Sequence, residues 1–274
     1  MNVRTVTSKD GTSIAYEVQG SGPPVILVGG AFVDRSENAS LAAELADGFT
    51  VFNHDRRGRG ESGDTPPYAV EREFEDLEAV MAKAGGSAHV YGISSGGALA
   101  LEAAAAGIPI ERLAVYEVPY NMAEDGQEQQ RRYVEQLSSF LAEGRRGDAA
   151  ELFMRIAGAS EEMIAGARSS PMWPRLEAIA PTLAYDAACM GSGQPPVDRF
   201  ARITQPTLVA TGGASPDSFV AGGGDFFGRA ADAIVEAIPH AERRTIAGQT
   251  HQVDPNAVAP MLREFFGGRR EATG

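Results

Sequence analysis

His89-Val90-Tyr91-Gly92-Ile93-Ser94-Ser95-Gly96-Gly97 decides the fold, because two opposite rhythms meet inside it. A short β-type run ends at Tyr91, and a helix-favouring run, Ala98 to Ala106, follows directly. Strand, sharp turn and helix together lift a side chain at the turn clear of the backbone, and Gly92 and Gly96 permit the close approach that such a turn requires. The Gly-x-Ser-x-Gly pattern alone is weak in a chain with 32 glycines. Its place between a strand and a helix makes Ser94 a candidate nucleophile, against the plainer reading of a Gly/Ser N-cap in an ordinary strand-helix unit.

Outward from this segment, β-type runs alternate with helical patterns, the order of a mostly parallel sheet covered by helices on both faces. Strands are predicted at Arg4 to Ser8, Ser13 to Val18, Val25 to Val28, Thr50 to Asn53, His89 to Tyr91 and Leu113 to Tyr116. Asp10-Gly11 is a hairpin signal, so the sheet is expected to open with an antiparallel pair. Val70, Phe74, Leu77, Met81 and Ala84 recur at helical spacing, with Glu71, Arg72, Glu75 and Glu78 off that face, which predicts an amphipathic packing helix. From Ala123 to Arg199 no strand is evident. Tyr133, Leu137, Phe140 and Leu141 mark one helix there, and Asp148 reads as the cap of a second that carries Leu152, Phe153 and Ile156. The sheet pattern resumes at Pro206 to Thr211, passes a glycine-rich loop at Gly212 to Gly224, and continues to a strand near Arg243 to Ile246 and a last helix ending at Phe265-Phe266. The expected organisation is a core of residues 1–122 and 200–274 with a helical cap inserted at 123–199.

The 274 residues, 43% hydrophobic and 22% charged, suit one large domain with a sizeable core. A net charge of −13 repels phosphate backbones, so nucleic acid is not an expected partner. Cys189 is the only cysteine, which excludes an intramolecular disulfide and a thiol-based metal site and suggests a reducing, cytoplasmic setting. Met1 to Gly11 is polar, and the most apolar stretch, Ala98 to Ile110, is cut by Glu102 and Gly107, so neither export nor membrane insertion is expected. The sequence gives no indication of oligomeric state.

A serine hydroxyl needs a base with pKa near 7 within reach, and imidazole supplies one. Of four histidines, His54 ends a strand, His89 begins the strand before Ser94, and His240 follows Pro239 in a turn; each reads as structural or solvated. His251 lies on a loop after Gly248-Gln249-Thr250 and is the candidate base.

Taken together, these segments resemble an α/β-hydrolase over nearly the whole chain. Pro23-Pro24-Val25-Ile26-Leu27-Val28-Gly29-Gly30-Ala31 resembles the family's oxyanion strand and loop, and Asp55 to Ser62 resembles its Asp-x-Arg-Gly-x-Gly-x-Ser turn. Gly248 to His251 resembles the histidine loop, and the helical insertion sits where the family places its cap. The resemblance implies a mostly parallel sheet flanked by helices, a nucleophile at Ser94, and oxyanion donors in the backbone amides of Ala31 and Ser95. The chain departs from the pattern in two places. Gly29-Gly30 stands where a His-Gly pair is usual, and Ser215 occupies the usual acid position, with Asp217 two residues beyond. Glu117, ending the strand after the nucleophile helix, is the favoured acid because some relatives carry theirs there, and Asp217 is the alternative. Asp55 and Arg56 read as braces for their own loop, and Asp254 as a helix N-cap.

Phe32, Tyr120, Trp173 and Tyr185, with Met172 and Met190, are candidates to wall an apolar pocket. The absence of Asp or Cys at the elbow disfavours aspartyl-ester or thiolate mechanisms, and no zinc, phosphate-loop or dinucleotide motif occurs. The expectation is a serine hydrolase with no cofactor or metal, acting on a small, partly apolar ester, thioester or lactone. The alternatives are a lyase or cyclase using His251 as acid/base, and a catalytically silent ligand-binding protein.

Overall fold

Val25, Ile26, Leu27 and Val28 are all inaccessible to solvent, because alternate side chains of their strand feed two different layers. In the computed structural model, which describes residues 2–214 and 225–268, this strand is the third of an eight-stranded sheet. The strands are β1 (Arg4–Thr7), β2 (Ser13–Gln19), β3 (Pro24–Val28), β4 (Thr50–His54), β5 (Ala88–Ile93), β6 (Ile110–Tyr116), β7 (Thr207–Gly212) and β8 (Ala241–Ile246). Their order across the sheet is β1-β2-β4-β3-β5-β6-β7-β8. β2 pairs antiparallel with β1 and β4, and every later pairing is parallel.

The helices of the core are α1 (Ala39–Leu45), α2 (Val70–Lys83) and α3 (Ser95–Ala105). After them come the inserted helices α4 (Gly126–Ala142), α5 (Arg146–Ile156), α6 (Glu161–Arg168), α7 (Trp173–Ile179), α8 (Leu183–Met190) and α9 (Val197–Phe200), and then α10 (Phe226–Ala237) and α11 (Pro255–Gly267). Ile26 and Val28 pack with Leu77 and Met81 of α2, Leu99 of α3 and Ile234 of α10. Val25 and Leu27 pack on the opposite side with Leu41 and Leu45 of α1 and Leu262, Phe265 and Phe266 of α11. One strand thus joins both apolar layers, as a doubly covered parallel sheet demands.

The insertion lies between β6 and β7 and has an apolar cluster of its own, built on Leu137, Leu152, Trp173 and Leu183, against which Ala31 and Phe32 of the core also pack. Asp254 caps α11, accepting from the Asn256 amide at 2.9 Å, with Pro255 at the first helical position. Asp148 does not cap α5. That helix starts at Arg146, and Asp148 sits in its first turn paired with Arg145, where a carboxylate favours the helix dipole instead. β6 begins three residues earlier than its apolar run, since Glu111 and Arg112 are partly exposed at its start. Among the described residues no helix is long and apolar enough to cross a membrane.

Candidate active site

β5 ends at Ile93 and α3 begins at Ser95, leaving Ser94 at the turn with φ 56° and ψ −130°. A non-glycine residue held at positive φ is strained and persists only where its surroundings fix it. Here the Ser94 amide donates to the Tyr116 carbonyl at 2.9 Å, and the Ser94 carbonyl accepts from the Gly97 amide at 2.9 Å. The loop after β3 crosses directly over this turn. A Cβ placed on Gly96 would lie 2.4 Å from the Gly29 carbonyl oxygen, so only glycine lets the helix start approach that loop. Ser95 opens α3, and its amide has no intrahelical acceptor; Ala31, on the crossing loop, lines the same cavity as Ser94 and Ser95.

Glu117 follows β6 at φ 46° and is almost inaccessible. Its Oε1 accepts from the Gly212 amide at 2.8 Å, and its Oε2 lies 2.9 Å from Nδ1 of His251. The Tyr116 hydroxyl donates to the Thr250 carbonyl at 2.7 Å, which anchors the histidine loop to the neighbouring strand end. Phe227 stacks on the imidazole, with ring centroids 4.9 Å apart and planes within 4°. Asp217, the alternative acid, lies outside the described residues.

Ser94 and His251 open onto one cavity of about 370 Å³. Its apolar wall is Val33, Phe153, Ile156, Met190, Phe226 and Phe227, and its polar wall includes Asn121, Gln129, Gln130 and Tyr133. The aromatic residues expected to form this wall are placed elsewhere. Phe32 packs against Phe153 at 5.4 Å, Trp173 is buried inside the insertion, and Tyr120 is wholly buried beside Phe200. Tyr185 stacks on Tyr68 at 3.8 Å and donates to Asp64. Met172 is 51% exposed. Phe32 and Tyr185 thus pack insertion against core, and Trp173 packs within the insertion, where large rings bury the most area.

A charge cluster that the motifs did not announce adjoins the cavity, which its members Ser95 and Asp186 line. Arg56 forms a two-point contact with Glu73, at 2.7 and 2.8 Å, and reaches Asp186 of α8 at 2.7 Å. Arg59 contacts both oxygens of Asp186 at 2.8 Å, and the Ser95 hydroxyl donates to Asp186 at 2.8 Å. Burial pushes the Glu73 carboxyl up, but the Arg56 charge and hydrogen bonds outweigh it and hold it at about 2. Burial followed by the Glu73 charge pushes the Cys189 thiol up to about 12, which leaves it an inert core residue. One signal for Asp186 was present in the sequence, namely a lone carboxylate on the apolar face of Leu183-Ala184-Tyr185-Asp186-Ala187. Asp55 does brace its loop, accepting from the amides of Arg35 and Glu61 at 2.8 Å, whereas the Arg56 side chain leaves that loop for Glu73, Asp186 and the Gly29 carbonyl.

The model of the alpha/beta hydrolase family matches residues 25–261, from β3 into the last helix. The chain belongs to that family. A solved alpha/beta hydrolase from Sphaerobacter thermophilus DSM 20745 is 50% identical and superposes with a TM-score of 0.84, over 96% of this chain and 100% of that one. A thermophilic esterase from Thermogutta terrifontis is 25% identical with a TM-score of 0.69, over 97% of this chain and 98% of that one. An uncharacterized hydrolase of Bacillus subtilis (strain 168), YraK, is 36% identical over 96 residues, which span 34% of this chain and 35% of that protein. For an alpha/beta hydrolase, an elbow serine sharing a cavity with a carboxylate-bound histidine is a constellation suited to acyl transfer.

Proposed function

We propose that this alpha/beta hydrolase is a serine hydrolase that cleaves a small, uncharged, partly apolar ester, thioester or lactone. The observation that carries the reading is the 2.9 Å contact between Glu117 and Nδ1 of His251, in a cavity that His251 shares with Ser94. A carboxylate at Nδ1 keeps the proton on that nitrogen and leaves Nε2 as the base. His251 takes the Ser94 proton as the oxygen attacks the acyl carbon, and Glu117 stabilises the imidazolium that forms. The Ala31 and Ser95 amides receive the developing oxyanion. The imidazolium then returns its proton to the leaving group, and water activated by His251 releases the acid and restores Ser94. The inserted helices cover the cavity as a cap.

The cavity wall carries no lysine or arginine among the described residues, and Glu37 stands at its exposed rim. An anionic acyl group would find no counterion there, so the reading specifies an uncharged one. Nε2 of Gln130, buried in the wall without a partner among the described residues, is placed to donate to an acceptor on the substrate. The esterase from Thermogutta terrifontis supports ester chemistry on this fold.

The experiment is intact-mass labelling of wild type, Ser94→Ala and His251→Ala with a small uncharged fluorophosphonate. A single adduct on the wild type, absent from Ser94→Ala and strongly slowed in His251→Ala, is expected. A wild type that stays unlabelled overturns the acyl-enzyme and moves lyase or ligand-binding roles ahead.

A further inference from the structure

We propose that Asp186, on the inserted helix α8, is a positioning residue that holds both oxyanion donors in register with Ser94. This inference rests on the serine-hydrolase reading. Asp186 reaches one donor through the Ser95 hydroxyl, at 2.8 Å, so it fixes a residue that lines the cavity beside Ser94. It reaches the other through arginine. Arg59, held by both Asp186 oxygens, donates from Nη1 to the Gly30 carbonyl, and Arg56, held by Asp186 and Glu73, donates to the Gly29 carbonyl at 3.4 Å. A peptide unit is planar and trans, so the Gly30 C=O and the Ala31 N–H point in opposite directions. Drawing the Gly30 oxygen down into the charge cluster therefore turns the Ala31 amide up toward the reacting carbonyl.

Arg56 and Arg59 fill the two free positions of Asp55-x-Arg57-Gly58-x-Gly60, and Gly29 stands where the family pattern has a bracing histidine. The arginine clamp supplies from beneath the loop what that histidine's side chain does not. Arg56, Arg59, Glu73, Ser95 and Asp186 are each at most 4% exposed, and the two cations balance the two anions. Such a buried cluster adds little stability over an apolar core of the same shape, so its geometry points to a role beyond packing.

The test uses the full chain and measures kinact and KI for the fluorophosphonate beside the melting temperature, in wild type, Asp186→Asn, Asp186→Asn/Arg59→Gln and Ser95→Ala. Asp186→Asn leaves an unbalanced buried cation, so it melts lower; the double variant restores neutrality and regains most of that loss. Positioning predicts that kinact falls about 100-fold in both, with KI little changed, since a displaced donor costs rate and not binding. Ser95→Ala keeps the amide and loses only the hydroxyl tether, and its kinact falls about tenfold. Should Asp186→Asn fail to fold, the double variant and Ser95→Ala carry the same comparison. Wild-type kinact in the folded variants, or recovery of kinact together with melting in the double variant, overturns the positioning role alone. A wild type that is never labelled overturns the serine-hydrolase reading, and this inference with it.

Discussion

Glu117 lies at the end of a strand, in a left-handed conformation that side chains rarely adopt, and both of its carboxylate oxygens are engaged. Replacing it with Gln keeps the shape but removes the charge, and the amide can present its NH2 to the imidazole and invert the tautomer. Glu117→Gln is therefore expected to lower the rate of acyl transfer, or of fluorophosphonate labelling, on the order of 10⁴-fold. Asp217→Asn is expected to stay near the wild-type rate, and a larger fall in that variant would reassign the acid. Ser94 and His251 were legible in the sequence because local order marks them, as a residue between strand and helix and a histidine before the last helix. The sequence favours Glu117 over Asp217 only through the resemblance to relatives that carry their acid there, since the pairing itself depends on which strand end approaches the imidazole. Asp186 lies 91 positions from Ser95, and only the folded chain brings them together.

At the scale of elements, strands and core helices were legible from alternation and from 3.6-residue spacing, which are local properties. The pocket wall was not, because an aromatic residue on an inserted helix can face the cavity or the seam with the core, and composition alone cannot distinguish the two. Glycine separates the two kinds of information cleanly. Gly96→Ala drives a Cβ to 2.4 Å from the Gly29 carbonyl and 2.6 Å from the Val28 carbonyl, both rigid backbone. It is expected to destabilise the fold by about 3 kcal/mol, the upper range for overpacking, and to slow Ser94 labelling as the elbow shifts. Gly166, on exposed α6, has nothing within 4 Å of such a Cβ and helical backbone. Gly166→Ala is expected to stabilise by about 0.5 to 1 kcal/mol through helix propensity. Urea unfolding of the two variants checks both signs, and equal effects would show that the elbow relaxes freely around a methyl group.

For the molecule as a whole, buried ionisable groups make stability depend on pH in a defined sense. Burial outweighs the nearby Asp55 and Glu73 charges and lowers His54 from 6.5 to about 4. The unfolded chain therefore binds a proton at His54 below pH 6.5 that the folded chain refuses until about 4, so stability is lost as pH falls through that window. Glu73, lowered from 4.5 to about 2, acts in the same direction but lower, holding its contribution above 4.5 and losing it toward 2. Asp76, raised by burial, opposes them in part. Between pH 7 and 5 the His54 effect stands apart from Glu73, and the shift converts to about 2 kcal/mol over that interval. His54→Gln cannot take up the proton, so its stability relative to wild type is expected to improve by about that amount on going from pH 7 to 5. Urea denaturation of both proteins at the two pH values measures the difference directly. A wild-type-to-variant gap that is the same at both would show that His54 titrates alike folded and unfolded, and that burial does not hold its imidazole neutral.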